Sequence, residues 1–162
     1  MRAVWISGVL AAALWLVMVW QLAGLKPGAV ALQFAWQPGM FGGIIHLWPP
    51  EDLELYRRWL PFDCLVLLAY GAFGWLLAVR TRVFAPLPRI VRGIAPVVLP
   101  LAALLDLVEN GLHWWLTEVP RFGMPSIYLT SAACSALKWS LVILFGALVL
   151  WALAADREQG GA

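Results

Sequence analysis

Charged residues are scarce in this chain, and their scarcity excludes most soluble folds. Only 12% of the 162 residues are charged, against about 25% in ordinary soluble domains. Hydrophobic residues make up 63% of the sequence. A soluble domain of this length exposes too large a fraction of its surface to bury so many apolar side chains. The composition therefore predicts a single-domain integral membrane protein.

Several familiar functional signals are also missing. The formal net charge of +2 is too small to indicate a nucleic-acid partner. The sequence contains no glycine-rich phosphate loop, no G-x-S-x-G elbow and no C-x-x-C pair. Its two cysteines, Cys64 and Cys134, lie inside apolar runs and are predicted to be packing residues, with a disulfide or redox pair as the alternative. No cofactor is predicted.

Four apolar stretches are long enough to cross a bilayer, for which about 20 mostly apolar residues are needed. They cover residues 4–25, 60–79, 94–116 and 127–154. The first stretch follows Arg2 as a signal peptide would, but it is too long and lacks a small-residue cleavage site. The sequence therefore predicts an all-α, integral membrane four-helix bundle.

The loop between the second and third spans sets the expected orientation. It carries four arginines and no acid: Arg80, Arg82, Arg89 and Arg92. Short loops rich in Lys and Arg remain cytoplasmic. Both termini are then cytoplasmic as well, which predicts a multi-pass protein of the bacterial cytoplasmic (inner) membrane.

Residues 26–59 form the predicted first outer loop, in which we expect one or two short interfacial helices. An apolar stripe at helical spacing comprises Phe41, Ile44, Ile45 and Trp48. Pro49-Pro50-Glu51-Asp52 is typical of a helix start, and a helix over residues 51–60 would pair Glu54 with Arg58. The loop either caps the bundle or forms a lid over an outward cavity.

Polar side chains recur on one face of the third span, which is unusual because ionised groups facing lipid cost several kcal/mol. The stripe consists of Asp106, Glu109, Asn110, His113 and Thr117. It is therefore predicted to face the bundle interior or a wet cavity.

Lys138 is the basic residue inside the fourth span, and its depth matches that of Asp106. Asp106 precedes Thr117 by 11 residues and Lys138 follows Ile127 by 11, so both lie roughly 16 Å below the outer surface. We predict an ion pair of Lys138 with Asp106, Glu109 or both.

Four further residues are predicted to complete the polar cluster. Ser131 and Ser135 share the stripe of Lys138 and are expected to hydrogen-bond to Asn110 and His113. In the second span, Asp63 is expected near the level of His113. Tyr70, one heptad deeper, is expected near the level of Asp106.

Acid and base groups held in a dry site are suited to proton transfer. We therefore predict acid/base chemistry on, or binding of, a lipid-like or isoprenoid-like apolar molecule. The candidate catalytic residues are Asp106, Glu109, Lys138 and His113. The candidate binding residues are Asp63, Tyr70, Asn110, Ser131 and Ser135.

Two alternatives remain open at this stage. The polar core could order the helices of a non-enzymatic structural or accessory subunit, with a membrane-protein partner or a second copy of the chain. The other alternative is passage of protons or ions. Its weakness is that no polar route leads to the cytoplasmic side, where the third span carries Leu99, Leu104 and Leu105. No metal site is predicted, because Glu109 and His113 do not have the Glu-x-x-His spacing of di-iron bundles and the spans hold no second histidine.

Short motifs between residues 34 and 145 resemble a widespread group of uncharacterised small bacterial four-span membrane proteins. They are Phe41 to Trp48, Tyr56, Leu60-Pro61-Phe62-Asp63, Tyr70-Gly71, Asp106-Leu107-Val108-Glu109-Asn110 and Leu137-Lys138. The resemblance implies the four-span topology and the importance of these residues, and it implies no activity.

Overall fold

The fold was obtained as a computed structural model that describes residues 1–160, and the side chains of residues 1–157. It contains six helices and, within these residues, no strand. In chain order they are α1 (Arg2–Leu22), α2 (Ala29–Gln33), α3 (Pro38–Leu47), α4 (Pro50–Arg80), α5 (Arg89–Leu116) and α6 (Pro125–Gly160). This confirms the predicted all-α class.

Four of the helices, α1, α4, α5 and α6, are long and apolar enough to cross a membrane. They coincide with the four predicted spans, apart from shifts of a few residues and longer ends. Their outer faces expose large apolar side chains, such as Trp5, Val9 and Leu16 on α1 and Ile143 and Leu150 on α6. Exposed apolar surface of this extent belongs in contact with lipid or with another protein.

The segment between α1 and α4 contains two short helices, as predicted, but it ends earlier than expected. The helix that begins at Pro50 does not stop at Leu60 and continues through Pro61 to Arg80. A proline inside a helix has a helical φ but removes one backbone hydrogen bond. The packing of the rest of α4 against its neighbours offsets that loss. The predicted surface pair of Glu54 and Arg58 is present, at 2.9 Å.

The four long helices pack in chain order. α4 packs against α1 and α5, and α5 packs against α4 and α6. α1 and α6 make no extensive contact with each other. The bundle is therefore a row of helices whose two ends, α1 and α6, are separated by a gap.

Two apolar clusters fill the two ends of the bundle. One lies beneath α2 and α3 and includes Phe41, Trp48, Tyr56, Leu116 and Tyr128. The other, at the opposite end, includes Phe84, Ala95, Leu99, Phe145 and Leu148. On α5 and on α6 the buried polar residues fall between the residues of these clusters, so the polar side chains form a layer within the bundle.

The contact between α4 and α5 depends on Gly74, and its replacement by alanine tests this. A Cβ atom at Gly74 would lie 2.5 Å from Leu99 Cβ, so the helices would have to separate. We expect Gly74→Ala to lower the free energy of unfolding by about 1–3 kcal/mol. The readout is the thermal unfolding midpoint of the purified protein in nonionic detergent, followed by tryptophan fluorescence.

Gly111→Ala on α5 is the matched control for Gly74→Ala. A Cβ atom at Gly111 meets nothing within 4 Å, and alanine favours a helix over glycine by roughly 0.5–1 kcal/mol. The control should keep or raise the midpoint. Equal midpoints for the two variants would contradict the close contact between α4 and α5.

Candidate functional site

The polar stripe of α5 lies inside the bundle, as predicted. Glu109 and His113 are fully buried, and Asp106 and Asn110 are nearly so. α5 lies between α4 and α6. Its polar stripe can therefore be shared between the two neighbours, and each polar residue meets a partner from one or the other.

The α6 side of the layer is an ion triad centred on Lys138. Lys138 Nζ lies 2.7 Å from Asp106 Oδ1 and 2.7 Å from Glu109 Oε2. All three side chains are at least nine-tenths buried. The predicted ion pair is thus present with both acids. At this burial the mutual attraction of the charges offsets a large desolvation penalty.

The α4 side of the layer is built from three residues at heptad spacing, Tyr56, Asp63 and Tyr70. Tyr70 OH donates to Asp106 Oδ2 at 3.1 Å, as the depth argument predicted. Asp63 Oδ2 accepts from Asn110 Nδ2 at 2.7 Å, one helical turn from its expected partner.

His113 is paired with Tyr56, which the depth argument did not place in the polar cluster. Tyr56 OH and His113 Nδ1 lie 2.6 Å apart. The signal that could have found this pair is its periodicity, because Tyr56 precedes Asp63 by seven residues and Asp63 precedes Tyr70 by seven. The three residues therefore share one face of α4.

The predicted hydrogen bonds of Ser131 and Ser135 to Asn110 and His113 are wrong. Ser135 Oγ donates to the Ser131 carbonyl at 3.1 Å, as serines in helices often do. Asn110 is bonded to Asp63 instead. Ser131 Oγ is buried and has no hydrogen-bond partner in the described residues.

Other buried polar atoms of the described residues also lack a hydrogen-bond partner, among them His113 Nε2 and Glu109 Oε1. Because α5 and α6 are antiparallel and Asp106 is opposite Lys138, His113 is opposite Ser131. An unsatisfied buried polar atom costs about 1–3 kcal/mol. The interface between α5 and α6 therefore has hydrogen-bonding capacity that the described side chains do not use.

A cavity of about 390 Å³ adjoins the ion triad. Its polar wall is formed by Asp63, Tyr70, Asp106 and Lys138. The remaining wall is mainly apolar and includes Ala11, Trp15, Phe73, Leu99 and Val142 from the four long helices. Gln33 of α2 completes it. Both α1 and α6 line this cavity although they hardly touch, so the cavity occupies the gap between them.

A second cavity, of about 290 Å³, lies beside the first toward the end that carries α2. The two cavities share five lining residues: Trp15, Met18, Gln33, Asp63 and Trp139. Gln33 Oε1 accepts from Trp139 Nε1 at 3.1 Å, which links α2 to α6 at the boundary. Neither Gln33 nor Trp139 had a distinguishing sequence pattern.

The predicted site residues therefore divide into two groups. The larger cavity is lined by Asp106, Lys138, Asp63 and Tyr70, and the smaller one by Asp63 and Asn110. Glu109, His113, Ser131 and Ser135 lie behind the cavity wall. Glu109 contacts Lys138, and His113 contacts Tyr56.

No cluster of three or more metal-ligating side chains occurs in the part of the chain that the structure describes. No family model, curated protein or solved structure matches this chain.

Removal of the Lys138 charge tests the ion triad. Lys138→Met leaves two carboxyl groups facing each other without a cation, which for a buried pair costs about 3–5 kcal/mol. We expect a large fall in the thermal unfolding midpoint. Combining it with Asp106→Asn and Glu109→Gln removes the unpaired charges and should restore most of the loss.

Arg58→Met is the control for Lys138→Met, because it removes the same kind of pair from an exposed site. Arg58 and Glu54 are both 72% exposed, and exposed pairs contribute little. A Lys138→Met protein as stable as wild type, or as little affected as Arg58→Met, would contradict the triad.

Proposed function

We propose that this protein is a multi-pass protein of the bacterial cytoplasmic membrane that binds a lipid-like molecule between α1 and α6. The observation that carries the proposal is the cavity of about 390 Å³ with Asp106 and Lys138 in its wall. Pockets for small molecules are concave, mostly apolar, and furnished with a few polar groups that fix orientation. The larger cavity has all three properties.

The position of the cavity indicates where its ligand comes from. The cavity lies in the gap between α1 and α6, two helices with apolar outer faces. Its volume falls within the range of about 300–1,000 Å³ typical of ligand pockets. An apolar molecule could enter sideways from the bilayer and place its polar end against the polar wall, which includes Asp63 and Asp106.

The chemistry that suits this wall is proton transfer. Asp106 is the acid of the triad that lines the cavity, and Tyr70 and Lys138 hold its two oxygens. As a base, Asp106 would accept a proton from the bound molecule and return it at a second position. Such an isomerisation conserves all atoms and electrons and needs no co-reactant.

A structural role for the same residues is the competing proposal, and it too has a specific observation in its favour. Polar contacts tie α5 to its two neighbours. Those with α4 include Tyr56–His113, Asp63–Asn110 and Tyr70–Asp106, and those with α6 include Lys138–Asp106. Polar contacts of this kind order membrane helices. Passage of protons or ions is less favoured, because the apolar cluster around Leu99 and Phe145 lies beyond the polar layer.

A cavity-filling substitution separates binding from structure. Ala12 lines the larger cavity and makes no part of the polar layer. We expect Ala12→Trp to displace a bound lipid-like molecule while the protein still folds. The measurement is mass spectrometry of the lipids that copurify with each variant, compared with the lipids of the source membrane.

Ala13→Trp is the control, because Ala13 is exposed on α1 and does not line the cavity. It should retain the ligand, whereas Asp106→Asn should lose it or trap it unreacted. If the wild-type protein carries no lipid enriched over the surrounding membrane, the binding proposal fails. Loss of folding in Asp106→Asn, with no ligand found in any variant, would favour the structural role.

A further inference from the structure

Asp63 differs from the other two acids of the polar layer in having no cation beside it. Asp106 and Glu109 both contact Lys138 Nζ. Within the described residues no basic group lies at ion-pair distance from Asp63, whose hydrogen bond comes from the neutral amide of Asn110. Asp63 is 9% exposed, so bulk solvent does little to compensate its charge.

Asp63 also stands at the junction of the two cavities. It is the acidic residue that lines both of them. The carboxyl group therefore faces the space that the proposed ligand would occupy. A polar end placed there would still leave either cavity available for an apolar chain.

Aromatic rings surround this junction. Trp15 and Trp139 line both cavities, Trp59 lines the smaller one, and Phe73 the larger. The face of an indole ring attracts a cation within about 6 Å. The Lys138 ammonium lies 5.7 Å from the centre of the Trp139 ring. One of these rings is therefore already within reach of an ammonium group.

The balance of charges around the cavities disfavours a ligand with a negatively charged end. Among the described residues the polar layer holds three carboxyl groups, those of Asp63, Asp106 and Glu109, and one ammonium group, that of Lys138. Lys138 contacts Asp106 and Glu109 and leaves Asp63 without a cation. A carboxylate or phosphate end would meet these acids without a free donor cation. An ammonium end would instead offset the acidic excess.

We infer that the ligand is an amphiphile with a positively charged amine or ammonium end, held at Asp63 against the Trp15 and Trp139 rings. This inference rests on the proposed binding function and narrows its ligand class. The alkyl part of the molecule fills the larger cavity between α1 and α6. The amine of such a molecule is protonated at neutral pH, as a lysine side chain is.

Three photoreactive probes that differ only in their end group test the inference. They are a long-chain alkyl amine, the matching alcohol and the matching carboxylic acid, each with a diazirine on the chain. Labelling of the wild-type protein in a nonionic detergent is measured against probe concentration, and the labelled residues are mapped by mass spectrometry. A nonionic detergent is chosen because it carries no competing ammonium group.

We expect the amine to label cavity residues at a concentration about tenfold lower than the alcohol, since hydrogen bonds between charged groups are stronger than those between neutral ones. The acid should be the weakest probe. Asp63→Asn should bring the amine to the level of the alcohol and leave the alcohol unchanged. Glu51→Gln, which removes an exposed acid from the same helix, should change none of the three.

The outcomes distinguish this inference from the proposed function. If amine and alcohol label the cavity equally in the wild type, the cationic end is wrong and apolar binding stands. If no probe labels the cavity, the binding proposal itself fails. Should Asp63→Asn not fold, the comparison of the three probes on the wild-type protein decides the matter alone.

Discussion

The buried ammonium of Lys138 is the constraint on which the rest of the structure depends. A lone charge inside a helix bundle is too costly to keep, so Lys138 fixes the position of two acids on α5. Its 2.7 Å contacts with Asp106 and Glu109 set the register of α5 against α6. That register in turn places Leu116 with Tyr128 in one apolar cluster and Leu99 with Phe145 in the other. The polar layer and both ends of the bundle follow from one ion triad.

The layer also explains why the four long helices are not equivalent. α4, α5 and α6 are tied together by hydrogen bonds and ion pairs, whereas α1 packs on α4 through apolar side chains. Association of apolar helices in lipid is driven by packing and gives no hydrophobic gain, because lipid tails are equally apolar. The gap between α1 and α6 therefore lies beside the helix that apolar packing attaches to the bundle. It is there that the two cavities and the acid without a cation are found.

Much of this arrangement could be predicted from the sequence, because helix geometry converts residue number into depth. The four spans and the Lys138 triad follow from counting residues along antiparallel helices, and so does the contact of Tyr70 with Asp106. Where several polar side chains lie at the same depth, the sequence could not show which of them form hydrogen bonds with each other. Asn110 bonds to Asp63 rather than to a serine, and His113 bonds to Tyr56. The continuation of α4 through Pro61, and the gap beside α1, depend on packing among distant segments.

The weak attachment of α1 has a thermodynamic consequence. Trp15 and Met18 of α1 line both cavities. Asp63 also lines both, and Asp106 and Lys138 line the larger one. A molecule that binds in the gap touches both sides, so its binding free energy adds directly to the docking free energy of the first helix. The occupied protein would then have a firmly held first helix, and the empty protein a looser one. Ligand binding and the docking of α1 are then one coupled equilibrium. The position of the lipid-facing surface of α1 depends on whether the ligand is bound.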